Sequence, residues 1–160
     1  MIIDERKVNL AEKDIEQWLW ENPGKVKNRV GTIQRWLKRQ YKIPSGVVDL
    51  IGLSSSYQVI VVEVKNTEIE ASALTQVCRY ADDIEYIYQC AWSEIDQEIE
   101  ERIDYWNVGM IVVGRSISTQ TMMEAEALGV HVITFDVTLS LAFGEPSWTD
   151  RFVDDRREQR

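Results

Sequence analysis

The sequence predicts an α/β fold, a sheet covered by helices, on three observations. Two apolar strands follow each other closely, Gly46 to Gly52 and Val59 to Lys65. Residues 68–89 repeat apolar side chains every three or four positions, the spacing of one helical face. A strand–helix–strand pattern over residues 108–135 then closes a sheet of this class.

Each element has its own signal. Leu10 to Glu21 reads as the first helix, because Asn9 can cap it with Glu12 three residues later, Ile15 and Leu19 share a face, and Asn22-Pro23-Gly24 stops it. Ile33 to Tyr41 is expected as the first strand, although Val30, Ile33, Leu37 and Tyr41 also fit a helix. Pro44-Ser45-Gly46 is a turn signal before the strand that carries Asp49, and Ser54-Ser55-Ser56-Tyr57 joins that strand to the next as a hairpin. Val59 to Val64 is apolar on both faces, which marks a central strand.

Thr67-x-x-Glu70 is a capping box for the helix over 68–89, whose stripe is Ala73, Val77, Tyr80, Ile84 and Ile87. Trp92, Ile95, Ile99, Ile103 and Trp106 recur at helical intervals, so an inserted amphipathic helix is expected over 92–106, with its tryptophans as a surface for a protein partner. Its acids spread around the polar face and bring no second ligand type, which argues against a metal cluster there. Val108 to Val113 is a strand, Ser116 or Ser118 caps a helix ending at Leu128-Gly129, and Val130 to Phe135 is the last strand. Residues 1–143 are therefore expected as one domain, and 144–160 as a polar tail, frayed or docked on a partner.

At 160 residues with 44% hydrophobic content, the chain can bury a sizeable core. It has no apolar run of membrane-spanning length, and Met1-Ile2-Ile3-Asp4-Glu5-Arg6 lacks a signal-peptide pattern, so a soluble cytoplasmic protein without a membrane partner is expected. Cys78 and Cys90 have no C-x-x-C spacing and are expected as reduced structural thiols. His131, the single histidine, lies between Val130 and Val132 and reads as a structural residue, which excludes chemistry built on a histidine triad.

The net charge of −9 hides an uneven distribution. Lys25, Lys27, Arg29, Arg35, Lys38, Arg39 and Lys42 fall in an 18-residue segment without one acid, giving +7 locally on a body of −16. Trp36 and Tyr41 are interleaved as stacking surfaces, so the segment is expected to contact nucleic-acid phosphates.

The residues that carry chemistry are Asp49, Glu63 and Lys65. Burying charges on apolar strands is costly unless they are paired or bind a metal. Glu63 and Lys65 are two apart and leave their strand on one face, and the hairpin can lay Asp49 beside Glu63. Two converging carboxylates repel without a cation between them, and oxygen ligands alone suit Mg²⁺ or Mn²⁺ better than zinc. A lysine beside such a site can orient or deprotonate water, or neutralise charge on a phosphate, which points to phosphodiester hydrolysis.

Asp49, thirteen intervening residues, then Glu63-x-Lys65 on an apolar strand resembles the PD-(D/E)XK nuclease superfamily, with Gln76 and Tyr80 one turn apart on the following helix as in its mismatch-endonuclease and RecB-type branch. Val48 stands where the family name has proline. Glu12-x-x-Ile15-x-x-x-Leu19 resembles the superfamily's first-helix motif, whose glutamate joins the metal site, and Glu16 is an alternative one turn later. The resemblance covers roughly residues 10 to 136 and implies a restriction-endonuclease-like αβββαβ core, with a central mixed sheet flanked by helices.

It also implies a Mg²⁺-dependent deoxyribonuclease acting in DNA repair, recombination or restriction. Asp49, Glu63 and the Val64 carbonyl would bind the metal, Lys65 would act on water, Glu12 would complete the acidic cluster, and Gln76 with Tyr80 would support them. Many members act as dimers so that two sites address two strands, which makes a homodimer an expectation. A non-catalytic nucleic-acid-binding or assembly module on the same fold is the alternative; such modules typically lack the lysine or one carboxylate, and here all are present.

Overall fold

The computed structural model describes residues 5–7, 11–28, 31–91, 104–136, 138–140 and 151–153, with side chains over 11–28, 31–87 and 107–135. Strand β1 (Glu5–Lys7) precedes helix α1 (Glu12–Glu21) and a single 3-10 turn, Pro23–Lys25. Three long strands follow: β2 (Ile33–Ile43), β3 (Gly46–Ser54) and β4 (Gln58–Val64). After short β5 (Glu68–Ile69) come α2 (Ala71–Ala91), β6 (Asp104–Gly114), β7 (Ser116–Ile117), α3 (Thr119–Leu128) and β8 (His131–Asp136). Strands β9 (Thr138–Ser140) and β10 (Arg151–Val153) end the described chain.

The main sheet has six strands in the order β10-β8-β6-β4-β3-β2. Strands β2, β3 and β4 pair antiparallel, whereas β4, β6 and β8 run parallel, so the sheet is mixed as expected. Two small sheets accompany it, β1 with β9 and β5 with β7.

Strand alternation sorts the core into two layers. Ile15 and Leu19 of α1 pack with Leu50, Ile60, Val62, Val64, Ile111 and Val113 on one face. On the other, Ala73, Leu74, Val77 and Ile84 of α2 and Met122 and Ala125 of α3 pack with Ile51, Leu53, Val59, Val61 and Val112. Each fully buried Val, Leu or Ile side chain here contributes about 1.5–3 kcal/mol. The apolar run of β4 is thus buried from both sides, as its lack of alternation predicts.

Several boundaries differ from expectation. Helix α1 starts after Ala11, whose N–H bonds to Asp14 Oδ2 at 3.2 Å; Asn9 lies outside the described residues. Thr67 does not cap α2, because residues 68–69 extend to pair with β7 and the helix begins only at Ala71. The expected helix over 92–106 is corrected at its end, since residues 104–106 open β6 and Asp104 pairs with Gln58; the rest of it is outside the described residues. A short strand, β10, within the expected polar tail pairs with β8, so three of those residues belong to the sheet. Ser118 is the cap of α3, accepting Thr121 N–H at 3.1 Å, and Gly129 ends it at φ +74°.

The chain leaving β4 is fastened to the strand beside it. Lys65 N–H bonds to Val113 O at 2.8 Å, Arg115 N–H to Thr67 O at 2.9 Å and Arg115 Nε to Asn66 O at 2.7 Å. Gly114 lies between these bonds, and a Cβ there would clash with Ile69 Cγ1 and lie 3.0 Å from the Thr67 carbonyl. Gly114→Ala is expected to destabilise the protein by about 1–3 kcal/mol. Urea denaturation against the parent measures this, and unchanged stability would show that the crossing has slack.

Candidate functional site

The β3–β4 ladder ends at the Leu50–Val62 pair. The next inward-facing amide, that of Val64, donates not to backbone but to Asp49 Oδ2 at 2.7 Å. Gln40 Nε2 donates to the other oxygen, Oδ1, at 3.1 Å, so both sides of the carboxylate are oriented. Burial raises the Asp49 pKa most; the bonds from Val64 and Gln40 oppose that, and the charges of Glu16 and Glu12 add to it.

Val59 and Val61 face α2, and the period of two carries Glu63 and Lys65 onto the same face. Glu63 is only 4% exposed. Its Oε1 lies 3.3 Å from Lys65 Nζ, and its Oε2 is buried without a hydrogen-bond partner. Burial first, and then the nearby Asp49 charge, push its carboxyl up to about 8, against the opposing pull of Lys65.

From Lys65 the network continues onto α2. Lys65 Nζ donates to Gln76 Oε1 at 3.4 Å, and Gln76 Nε2 donates to the Tyr80 hydroxyl at 2.5 Å. The Tyr80 ring is buried, and a Cβ on Gly46 would lie only 2.9 Å from its hydroxyl. Gly46 has φ +147°, a conformation glycine adopts readily, and Asp83 Oδ2 accepts the neighbouring Ser45 N–H at 2.9 Å. The turn between β2 and β3 is therefore docked on α2.

The structure thus brings together Asp49, Glu63, Lys65, Gln76 and Tyr80. On α1 it is Glu16 that joins them: it is buried, with Oε1 held by Arg39 Nε at 2.7 Å and Oε2 by Gln40 Nε2 at 2.6 Å. Glu12 is exposed and acts on Asp49 only through its charge.

Among the basic residues, Lys25, Lys27, Arg35 and Lys42 are exposed, Lys38 is half-buried and Arg29 is outside the described residues. Arg39 serves the fold: it also donates to Gln17 Oε1 at 2.7 Å and lies over the Trp20 ring, which stacks on Trp36.

Gln40, Gly46 and Asp83 are site neighbours that the sequence reading missed. The Pro-Ser-Gly turn signal could have drawn attention to Gly46; nothing in the pattern singles out Gln40 or Asp83. His131 is buried, Cys78 is a free thiol, and the Cys90 side chain is outside the described set.

The donor chemistry fits a hard divalent cation. It is oxygen-only, and it contains one unpartnered buried carboxylate oxygen beside a second carboxylate, both with pKa values raised by crowding and burial. Among the described residues no three His, Cys, Asp or Glu side chains converge, so a cation here would complete its shell with backbone, water or substrate oxygens. No described helix is long and apolar enough to cross a membrane.

The raised Glu63 pKa makes the metal-free fold sensitive to pH. An unfolded chain releases this proton near 4.5, whereas the folded protein holds it to about 8. Between those values the folded state binds more protons, so stability falls as pH rises, by ~1.4 kcal/mol per pH unit from this group, and levels off above the upper value. Glu63→Gln should flatten that decline and stabilise the metal-free protein above about pH 7. Asp49→Ala should instead destabilise it by about 1–3 kcal/mol, because the Val64 N–H loses its acceptor. Urea denaturation in chelator over a pH series tests both, and a Glu63→Gln profile as steep as the parent's would remove the burial account.

Residues 11–91 match the family model described as the endonuclease NucS C-terminal domain. Endonuclease NucS of Sulfurisphaera tokodaii is 36% identical over 70 residues, 44% of this chain and 26% of that protein. Endonuclease NucS of Methanocaldococcus jannaschii is 26% identical over 81 residues, 49% of this chain and 29% of that protein. The chain thus spans little more than a quarter of the length of these relatives. Its fold is similar to a repair endonuclease from Pyrococcus abyssi, with TM-score 0.60 and 20% identity over 82% of this chain and 49% of that one. It is also similar to the EndoMS-dsDNA2 complex, with TM-score 0.55 and 22% identity over 81% and 46% of the two chains. Because the matched segment is half of the chain and contains Asp49, Glu63, Lys65, Gln76 and Tyr80, the protein belongs to the endonuclease NucS C-terminal domain family.

Proposed function

We propose that this protein is a divalent-metal-dependent DNA endonuclease of the PD-(D/E)XK type, acting in DNA repair. The observation that carries the reading is the convergence of Asp49, Glu63 and Lys65, in which Glu63 keeps one buried oxygen without a hydrogen-bond partner. Family membership supports it, as do the names of the relatives: NucS proteins are called endonucleases, and one similar structure is described as a complex with double-stranded DNA.

Asp49 and Glu63 would hold Mg²⁺, or Mn²⁺ in its place. The Val64 N–H points to Asp49, and in an extended strand the carbonyl of the same residue points the same way, which offers a third oxygen. The bound cation would supply Lewis-acid activation and neutralise charge on the scissile phosphate. Lys65 would orient the attacking water and stabilise charge as it develops. Gln76, fixed by Tyr80, holds the ammonium group by a neutral oxygen that leaves its charge available. The exposed lysines and Arg35 of the 25–42 segment would contact backbone phosphates.

Cleavage of duplex DNA should require Mg²⁺ or Mn²⁺ and stop in chelator. Lys65→Ala should lower the single-turnover rate by ~10² or more, the usual scale for a positioned acid, base or charge stabiliser, with cation affinity retained. Calorimetric metal titration beside cleavage of the same preparation measures both. Cleavage near the parental rate, or loss of metal binding, would make Lys65 a structural charge.

Lys38→Ala with Lys42→Ala spares Arg39, which the fold uses. This pair should weaken DNA binding and reduce the slope of log affinity against log salt by about 2. Fluorescence anisotropy over a salt series reads the slope, and an unchanged value would place the phosphates elsewhere.

A further inference from the structure

Gln40 has an unusual backbone for its place in the chain. Among the described non-glycine residues only Gln40 and Tyr57 have positive φ, 48° and 62°. Tyr57 follows the turn after Ser54, where left-handed residues are ordinary. Gln40 lies inside an 11-residue strand with no chain reversal, where such a conformation costs free energy and marks a constraint from outside the strand.

Its side chain shows that constraint. One amide nitrogen carries two hydrogens, and Gln40 Nε2 directs them to two carboxylates on different elements, Glu16 Oε2 at 2.6 Å and Asp49 Oδ1 at 3.1 Å. The other oxygen of Glu16 is held by Arg39, so Glu16 is a fixed post on α1. The other oxygen of Asp49 is held by Val64 N–H. Asp49 is thereby oriented from both sides by neutral donors only. An arginine in the same position would orient it equally but cancel its charge; an amide leaves both the negative charge and further lone pairs to a ligand.

We propose that Gln40 is a positioning residue that presets the Asp49 carboxylate for a divalent cation, with Glu16 as its anchor. The inference rests on the reading of Asp49 and Glu63 as the cation site. Outer partners of this kind typically change metal affinity by 10- to 100-fold.

The test uses Gln40→Asn, Gln40→Gly and Asp49→Asn in the full chain. Asparagine tolerates a left-handed backbone but is one methylene too short to bridge both carboxylates, and glycine removes the backbone cost along with the bridge. Both Gln40 variants should melt close to the parent without metal, bind Mn²⁺ ~10-fold or more weakly by calorimetry, and raise by the same factor the Mn²⁺ concentration for half-maximal duplex cleavage. Asp49→Asn should bind no Mn²⁺ at the site. If it binds Mn²⁺ like the parent, the cation-site reading fails and this inference with it. If Asp49→Asn loses binding while both Gln40 variants keep the parental affinity, this inference alone is overturned, whether or not their melting temperature falls.

Discussion

The 2.7 Å bond from the Val64 amide to the Asp49 carboxylate is the contact on which the site depends. It forms where the β3–β4 ladder ends, and it converts an unpaired strand amide into the tether for the Asp49 side chain. Because the tether comes from the residue between Glu63 and Lys65, the two strands cannot slip relative to each other without separating the three charged groups. Register here is chemistry as well as packing: a slip of one residue would turn Glu63 and Lys65 to the opposite face of the sheet.

Placing two carboxylates and a lysine in this position works against stability, and the surroundings limit the penalty without abolishing it. Each charged group is held by directional bonds: Asp49 by two donors, Lys65 by Glu63 and Gln76, and Glu16 by Arg39 and Gln40. What remains unmatched is one oxygen of Glu63. The apolar layers on both faces of β4 supply the stability that tolerates it. The mismatch among these groups is thus concentrated on one atom, and the rest of the core does not depend on it.

Much of this was legible in the sequence, because the signals were strong where the physics was local. The apolar runs of β3 and β4, the charges that interrupt them, and the 3.6-residue stripe of α2 with Gln76 and Tyr80 depend on neighbours a few residues away. The order of most helices and strands followed from them, and the mixed sheet from the family resemblance. Long-range pairings defeated the reading. Thr67 looks like a cap, but β5 pairs with β7 some fifty residues on and delays the helix. Trp106 fits a helical repeat, but parallel pairing with β4 draws its segment into β6. Arg39 belongs to a basic run by composition, yet Glu16, Gln17 and Trp20 across the α1–β2 contact claim it. The choice between Glu12 and Glu16 likewise turns on the rotation of α1 against the sheet, which spacing alone does not fix.

The mixed sheet also divides the chain by sequence distance. Strands β2, β3 and β4 meet through tight turns, and with α2 they hold Gln40, Asp49, Glu63, Lys65, Gln76 and Tyr80 within 41 residues of chain. The parallel partner of β4 comes much later, with Val62 beside Ile111. Joining them closes a long loop, whose entropy grows only with the logarithm of its length, about 0.6 kcal/mol for each doubling. Insertions or deletions between α2 and β6 therefore change the folding free energy little and leave the spacing of the charged residues untouched. A change in chain length there is separated from the charged residues by the whole of α2, so the cost falls on loop closure and not on their geometry.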